Sequence, residues 1–361
     1  MKIGLLTVYY ANYGSFYQAA SLARQLRMMG HECEIINASI RGKYSIKYLM
    51  GVMGDMILPE CIVRRIANRV IPLKTYRALK PSFRKEGVGG IVFSAKQLNK
   101  RYDCIIVGSD ELWSSTLSIM HYIPVYFGAG LNIPHISFST SAVSLHCPDS
   151  RIESEMCTNI NTFSALSVRD IETQQWIQKW TGKIVPITLD PTLMNPFFGS
   201  EGRGGGGLIV YGEHFQEEHI RLIRSYAKRH NMRIHALCWP LDWCDDFIDV
   251  ISPEQLQKVF SDADFCAVST FHGTVFSLLH KRPFAAFCAP NRTTKIKNLL
   301  KQVGMTQCFW DECRTQDIEF KGDYDFFNSA ITLQRKESLS YLENALSNVE
   351  GEIADEKRPG R

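Results

Sequence analysis

"DFCAVSTFHGTVFSLLHKRPFAAFC", residues 264–288, shows a whole α/β unit in one stretch. DFCAVST is a short, almost unbroken apolar run, the pattern of a strand buried on both faces of a parallel sheet. The chain then turns abruptly into GTVFSLLHK, a helix beginning near Gly273, and RPFAAFC returns as a further strand. His272 interrupts a segment that is otherwise apolar, small or hydroxyl-bearing. By itself it fits a satisfied core residue, a metal ligand or one wall of a ligand site.

The same alternation runs outward from this stretch. KIGLLTV (2–8) predicts a buried strand, YYANYGS a turn, FYQAASLARQLRMMG a helix ended by Gly30, and HECEIIN a second strand. Residues 41–100 are basic and less periodic; they predict helices, with EGVGG (86–90) as a loop. YDCIIVGSDELW, HISFSTSAV and ALSVRDIETQQWIQKWTG continue the pattern to KIVPITLDPTLM. After the glycine-rich GSEGRGGGG (199–207), strands and helices resume with LIVYGEH, FQEEHIRLIRSYAKRHN, MRIHALCW and SPEQLQKVFSDA. The expected architecture is two Rossmann-like parallel-sheet domains, 1–195 and 206–325. Residues 326–361 would form an amphipathic helix, with Leu333, Leu339, Leu342 and Leu346 on one face, and a frayed tail from Gly351.

Composition sets the class. Of 361 residues, 45% are hydrophobic and 22% charged, the balance of a globular protein. A formal net charge of +4 does not point to a nucleic-acid partner. Eleven cysteines, with no C-x-x-C pair and mostly inside apolar runs, argue against a disulfide framework or zinc site and for a reducing, cytoplasmic setting. No run is long enough to span a bilayer, so at most peripheral membrane association is expected.

Several motifs sit where α/β sheets place ligands. Asn12, Gly14 and Ser15 follow the first strand and open the first helix; they suit either ligand approach or plain capping. Ser109 and Asp110 end another strand, where Asp110 could deprotonate a hydroxyl or cap the next turn. Arg169, after a short strand, has a surface salt bridge to Asp170 or Glu172 as its ordinary role. Asp190 before Pro191 is a natural turn or helix start. Gly202, Gly204 and Gly207 match G-x-G-x-x-G, but they precede a strand instead of following one, so a linker or turn is the better reading. Around His272 no further ligands have metal spacing, and no G-x-S-x-G elbow exists. What the segment offers is a helix N-terminus with backbone N–H groups, hydroxyls from Ser269 and Thr270, and an imidazole, which suits an anion that also needs a proton.

Taken in order, NYGSFYQAASL, YDCIIVGSDELW, ISFSTS, SVRD, TLDPTLM, the long block SPEQLQKVFSDADFCAVSTFHGTVFSLLHKRPF and RTTKIKNLLKQVGM resemble the polysaccharide pyruvyl transferase family. The resemblance implies a glycosyltransferase-B-like fold with the active site between two domains and a C-terminal helix returning to the first. It implies transfer of the enolpyruvyl part of phosphoenolpyruvate to a free or carrier-linked saccharide, as a ketal, with release of phosphate, in envelope or exopolysaccharide synthesis. No cofactor or metal is expected. His272 and Arg169 correspond to donor-site residues, with Arg292 and Lys295 as further contacts. On the same resemblance Ser109, Ser269, Thr270, Gly273 and Thr274 are expected on the substrate side, with Asp110 or Asp190 as the candidate base for the sugar hydroxyl. Glu111 stands where the family usually carries glutamine. A nucleotide-sugar glycosyltransferase and a catalytically silent glycan-binding relative are the alternatives.

Overall fold

The computed structural model describes residues 1–10, 12–38, 74–113, 123–142, 150–194, 202, 204–213, 215–288, 293–310, 318–319 and 322–356. The stretch 41–73, read above as helical, and Arg292 lie outside them. The chain forms two compact units, Met1–Asn195 with Arg335–Arg361, and Pro196–Gln334.

The first unit is built on five parallel strands, β1 (Lys2–Leu6), β2 (Glu32–Ala38), β3 (Val88–Val92), β4 (Cys104–Asp110) and β5 (His135–Thr140), in the order β3-β2-β1-β4-β5. Ile3 of β1 pairs with Cys33 on one side and Cys104 on the other, and Ile3, Leu5, Ile105 and Ile106 have no solvent exposure. Burial on both faces is why these strands read as apolar runs and not as alternating patterns. The helix Tyr13–Met28 crosses from β1 to β2 and buries Ala19, Ala20, Leu22, Ala23 and Leu26. It starts at Tyr13, three residues before the sequence pattern suggested, because Asn12 caps it.

The EGVGG loop is corrected: its last three residues belong to edge strand β3. Ile35 N donates to Gly87 O, and a Cβ at Gly89 would overlap the Glu34 carboxylate. The neighbouring strand imposes extended backbone on a glycine run that has no strand preference of its own. Beyond β5, parallel bridges join Thr140 to Val168 and Val168 to Ile187, so SVRD and PITLD extend the sheet without forming full strands.

The second unit repeats the plan. Strands β6 (Leu208–Tyr211), β7 (Ile234–Leu237), β8 (Asp246–Ile248), β9 (Phe265–Val268) and β10 (Phe284–Ala286) lie in the order β10-β9-β6-β7-β8, all parallel. β8 has no marked apolar run and escapes the sequence pattern. The glycine-rich run belongs to this unit as a turn before β6. Gly204, Gly205 and Gly207 have φ of 71°, 87° and 70°, conformations that favour glycine. Asp264 fastens the turn, accepting from Gly205 N at 2.6 Å and from Gly207 N at 2.9 Å.

The C-terminal helix spans Tyr324–Glu356, 33 residues, and from Arg335 onward it groups with the first unit. Ser338, Leu342, Ala345, Leu346 and Val349 are buried, but Leu333 is 56% exposed, a correction to its expected place on that face. Position 333 lies about half a turn round from 338 and 342 at 3.6 residues per turn. The helix also continues five residues past Gly351, where a frayed tail was expected.

Replacing Asp264 by alanine should leave two turn N–H groups without their acceptor. A loss of about 1–2 kcal/mol is expected in urea titrations, with no change in the slope of the transition.

Candidate functional site

Numbered within each unit, both sheets have the order 3-2-1-4-5. The direction of winding reverses between the first and fourth strands, and the crevice outside the C-terminal ends of those two strands is where open α/β sheets place ligands. In the second unit these strands are β6 and β9, and His272 follows β9. In the first unit they are β1 and β4, followed by Asn12 and ended by Ser109–Asp110.

In the second unit the helix Phe271–Leu279 starts two residues earlier than Gly273. Thr270 is its N-cap; its Oγ1 accepts from Gly273 N at 3.0 Å, and Thr274 Oγ1 donates to Thr270 O at 3.1 Å. The hydroxyls of Thr270 and Thr274 and the N–H of Gly273 are therefore engaged within the turn, where the sequence suggested groups presented to a ligand. A Cβ at Gly273 would come within 2.8 Å of Tyr211 Cδ1 and 2.9 Å of Thr270 Oγ1, so glycine is required by close packing of helix on sheet. Ser269 is 2% exposed, and its Oγ has no hydrogen-bond partner among the described residues. It fills the space beside Gly212, which has a φ of +131° and where a Cβ would overlap the Ser269 hydroxyl. His272 occupies the second position of the helix, half-buried, with its ring 5.3 Å from Phe271 edge-on and 6.2 Å from Phe276. Lys295 lies partly buried in the first turn of the helix Thr293–Gln302.

In the first unit Asn12 and Ser15 form a reciprocal cap: Asn12 Oδ1 accepts from Ser15 N at 2.8 Å, and Ser15 Oγ accepts from Asn12 N at 3.1 Å. Gly14 is buried in the same turn. Behind it stands a feature the motif reading missed. Gln18, with no exposure, donates from Nε2 to Thr7 Oγ1 at 3.0 Å and Val8 O at 2.7 Å, while Thr7 Oγ1 donates to Ser109 O at 3.0 Å. These bonds tie the ends of β1 and β4 together at the crossover point. A glutamine inside the apolar FYQAASL was the available signal. Ser109 is fully buried, and its Oγ has no partner among the described residues. Asp110 is half-buried at φ 84°, a strained conformation for an aspartate, and its Oδ1 accepts from Glu111 N at 2.9 Å.

Arg169 and Asp190 meet inside this unit. Arg169 Nη1 donates to Asp190 Oδ2 at 3.0 Å, with the residues 6% and 1% exposed. The surface pairing expected for Arg169 is thereby corrected: Asp170 caps the helix Ile171–Thr181 instead, accepting from Thr173 N and from Ser141 Oγ. Asp190 Oδ1 accepts from Thr192 N at 2.9 Å, and its carbonyl accepts from Leu193 N and Met194 N. Burial acts to lower the Arg169 pKa; Asp190 first, then Asp110, Glu111 and Asp170, outweigh it and leave the guanidinium above its ordinary value. Among the described residues no group of three or more His, Cys, Asp or Glu side chains could hold a metal ion. No described helix is long and apolar enough to cross a membrane.

A family model described as polysaccharide pyruvyl transferase matches residues 12–287, which includes Asn12, Asp110, Arg169, Asp190 and His272. No curated protein matches the sequence. Among solved structures, the E. coli heptosyltransferase WaaC with ADP-2-deoxy-2-fluoro heptose is similar at 11% identity and a TM-score of 0.37, over 80% of this chain and 89% of that one. The spinosyn forosaminyltransferase SpnP is similar at 14% identity and a TM-score of 0.42, over 98% and 99% of the two chains. The spinosyn rhamnosyltransferase SpnG complexed with thymidine diphosphate is similar at 11% identity and a TM-score of 0.41, over 98% and 96%.

Two substitutions should separate packing from hydrogen bonding around His272. Gly273→Ala should cost about 1–3 kcal/mol, because Tyr211 and Thr270 must shift to admit the methyl group. Ser269→Ala should leave the melting temperature unchanged or slightly raised, since it removes a hydroxyl that has no partner to lose. Melting curves on both variants check these outcomes.

Proposed function

The chain belongs to the polysaccharide pyruvyl transferase family, and from that premise we propose that it transfers the pyruvyl group of phosphoenolpyruvate to a saccharide. The observation that carries this reading is an imidazole in the first turn of a helix that starts at the crossover point of a parallel sheet. A helix N-terminus favours anions through its backbone N–H groups and dipole, and an imidazole beside it can hand over a proton. Phosphoenolpyruvate is an anion whose methylene carbon must be protonated.

The proposed reaction balances as follows. The methylene carbon takes a proton from His272 and becomes a methyl group. One sugar hydroxyl, deprotonated by Asp110, bonds to the neighbouring carbon. A second hydroxyl then displaces phosphate, closing the ketal, and its proton leaves with the phosphate. Asp110 suits the base better than Asp190 because it is half-buried, whereas Asp190 is 1% exposed and receives both an arginine and a backbone N–H. Arg169, held by Asp190, is proposed as the fork for donor charge, since a planar guanidinium matches a carboxylate or phosphate. Ser109, Ser269 and Lys295 are proposed on the substrate side, and no cofactor or metal takes part.

His272→Asn should retain most of the phosphoenolpyruvate affinity and lower turnover about a hundredfold or more, because it removes the proton donor. Arg169→Lys should chiefly weaken donor binding, since lysine keeps the charge and loses the planar fork. Calorimetry with phosphoenolpyruvate and phosphate release with saccharide acceptors check both. Stabilisation by nucleoside diphosphates but not by phosphoenolpyruvate would overturn the reading in favour of a nucleotide-sugar enzyme. Saccharide binding without phosphate release would leave a silent glycan-binding protein.

A further inference from the structure

We propose that the C-terminal helix is a positioning element for Arg169: Ser338 and Arg335 hold the turn 189–193, the turn holds Asp190, and Asp190 holds the guanidinium. The proposal rests on the donor-site reading of Arg169 given above. All of these residues belong to one compact unit.

Two bonds grip the turn, one on either side of Asp190. Leu189 N donates to Ser338 Oγ at 3.0 Å, and Arg335 Nε donates to Leu193 O at 2.7 Å. Inside that grip Asp190 caps the four-residue helix Pro191–Met194 and reaches Arg169 with its other oxygen. Thr188 N is fixed to Val168 O, so the backbone on the strand side of the turn is tied to the residue preceding Arg169. The arrangement links the helix to the guanidinium through consecutive bonds, each of ordinary length.

Two features show that the grip is polar and not apolar packing alone. Ser338 is 1% exposed on a face with Leu342, Ala345, Leu346 and Val349, and its hydroxyl there accepts from the backbone N–H of Leu189. Arg335 is half-buried, and burial pushes its pKa down, yet its hydrogen bond goes to a carbonyl at the end of a helical turn. A cation there complements the carbonyl end of the turn. The hydroxyl satisfies the buried Leu189 N–H and the cation satisfies the Leu193 carbonyl, so each bond fixes backbone of the turn as well as stabilising it. Both bonds bear on where the Asp190 backbone sits, and a fork that must meet an anion loses efficiency with shifts well under an ångström.

The test uses the full-length protein and the variants Ser338→Ala, Arg335→Met and Arg335→Lys, with Val349→Ala as a control that removes core volume from the same helix away from the turn. Two readouts are taken beside melting curves: KM and kcat with phosphoenolpyruvate, and the Nε–Hε resonance of Arg169, assigned by its loss in Arg169→Lys. Ser338→Ala and Arg335→Met should raise KM roughly five- to tenfold, the scale of one lost hydrogen bond, with kcat changed less than KM. Both should shift or broaden the resonance, and Arg335→Lys, which keeps a donor, should recover most of the loss. Val349→Ala should lower the melting temperature and leave KM and resonance alone. An unmoved KM and resonance in Ser338→Ala and Arg335→Met would overturn the proposal, as would an equal rise in KM for Val349→Ala. If wild type shows no phosphoenolpyruvate binding, the donor-site reading fails. The resonance then decides the grip by itself: a shift in the two variants sustains it, and no shift ends it.

Discussion

The bond between Arg169 and Asp190 joins a guanidinium that water barely reaches to a carboxylate that it does not reach. Taking both ions out of water costs several kcal/mol each, and their attraction returns that only with good geometry and further hydrogen bonds. A pair of leucines would stabilise the same space at least as well. What the pair supplies is position, and the surroundings are built to keep it. Arg169 N is bonded to Thr140 O, Val168 bridges to Ile187, and Asp190 accepts three backbone N–H groups of its own turn. The outer edge of the first sheet beyond β5, with its buried hydroxyls on Ser137, Ser167 and Thr188 satisfying one another and the backbone, is the frame that such a pair needs.

Repetition of one strand order explains why the remaining site residues fall where they do. In each unit the first and fourth strands end side by side, and the chain leaves them in opposite directions. Gly212 and Ser269 mark that place in the second unit, Thr7 and Ser109 in the first. In both units a serine at the end of the fourth strand has an unpartnered buried hydroxyl among the described residues. The likeness follows from the topology: at the sheet's end the backbone ladder stops, and a short side chain can be buried there without an acceptor beside it.

Strand and helix identities were legible because parallel strands buried on both faces are apolar throughout and helices carry their caps in sequence. Ser252 before Pro253 marks a helix start directly, whereas Asp170, read as a salt-bridge partner, proved to be the cap of the helix Ile171–Thr181. β3 and β8 were not legible, because Val88–Val92 and Asp246–Ile248 are edge strands whose extended form is imposed by one neighbour. The LDPT turn was legible as a turn, since aspartate before proline caps whatever else it does. Its ion pair was not, because Asp190 and Arg169 come together only through the bridges between Val168, Ile187 and Thr140. The block around His272 was legible as a strand, a tight turn and a helix. Which of its groups are engaged internally required the geometry: Thr270 caps, Gly273 packs, and Ser269 does neither.

The charges around Arg169 constrain how the first unit would share work under the proposed reaction. Four carboxylates, on Asp190, Asp110, Glu111 and Asp170, act on one guanidinium strongly enough to outweigh its burial. An anion that meets Arg169 therefore does so against an opposing field, so the geometry of the fork decides how well it is held. Polyhydroxyl ligands meet the opposite condition, because ionised carboxylates are acceptors only and sugar hydroxyls are donors. Under the proposed reaction this acidic setting would suit the saccharide, with Asp110 taking the proton of its hydroxyl. Under the same proposal the helix that starts at Phe271 offers its N-terminal dipole to the donor's phosphate. In that acidic setting the affinity proposed for Arg169 depends on a rigidly held planar fork, which lysine does not supply.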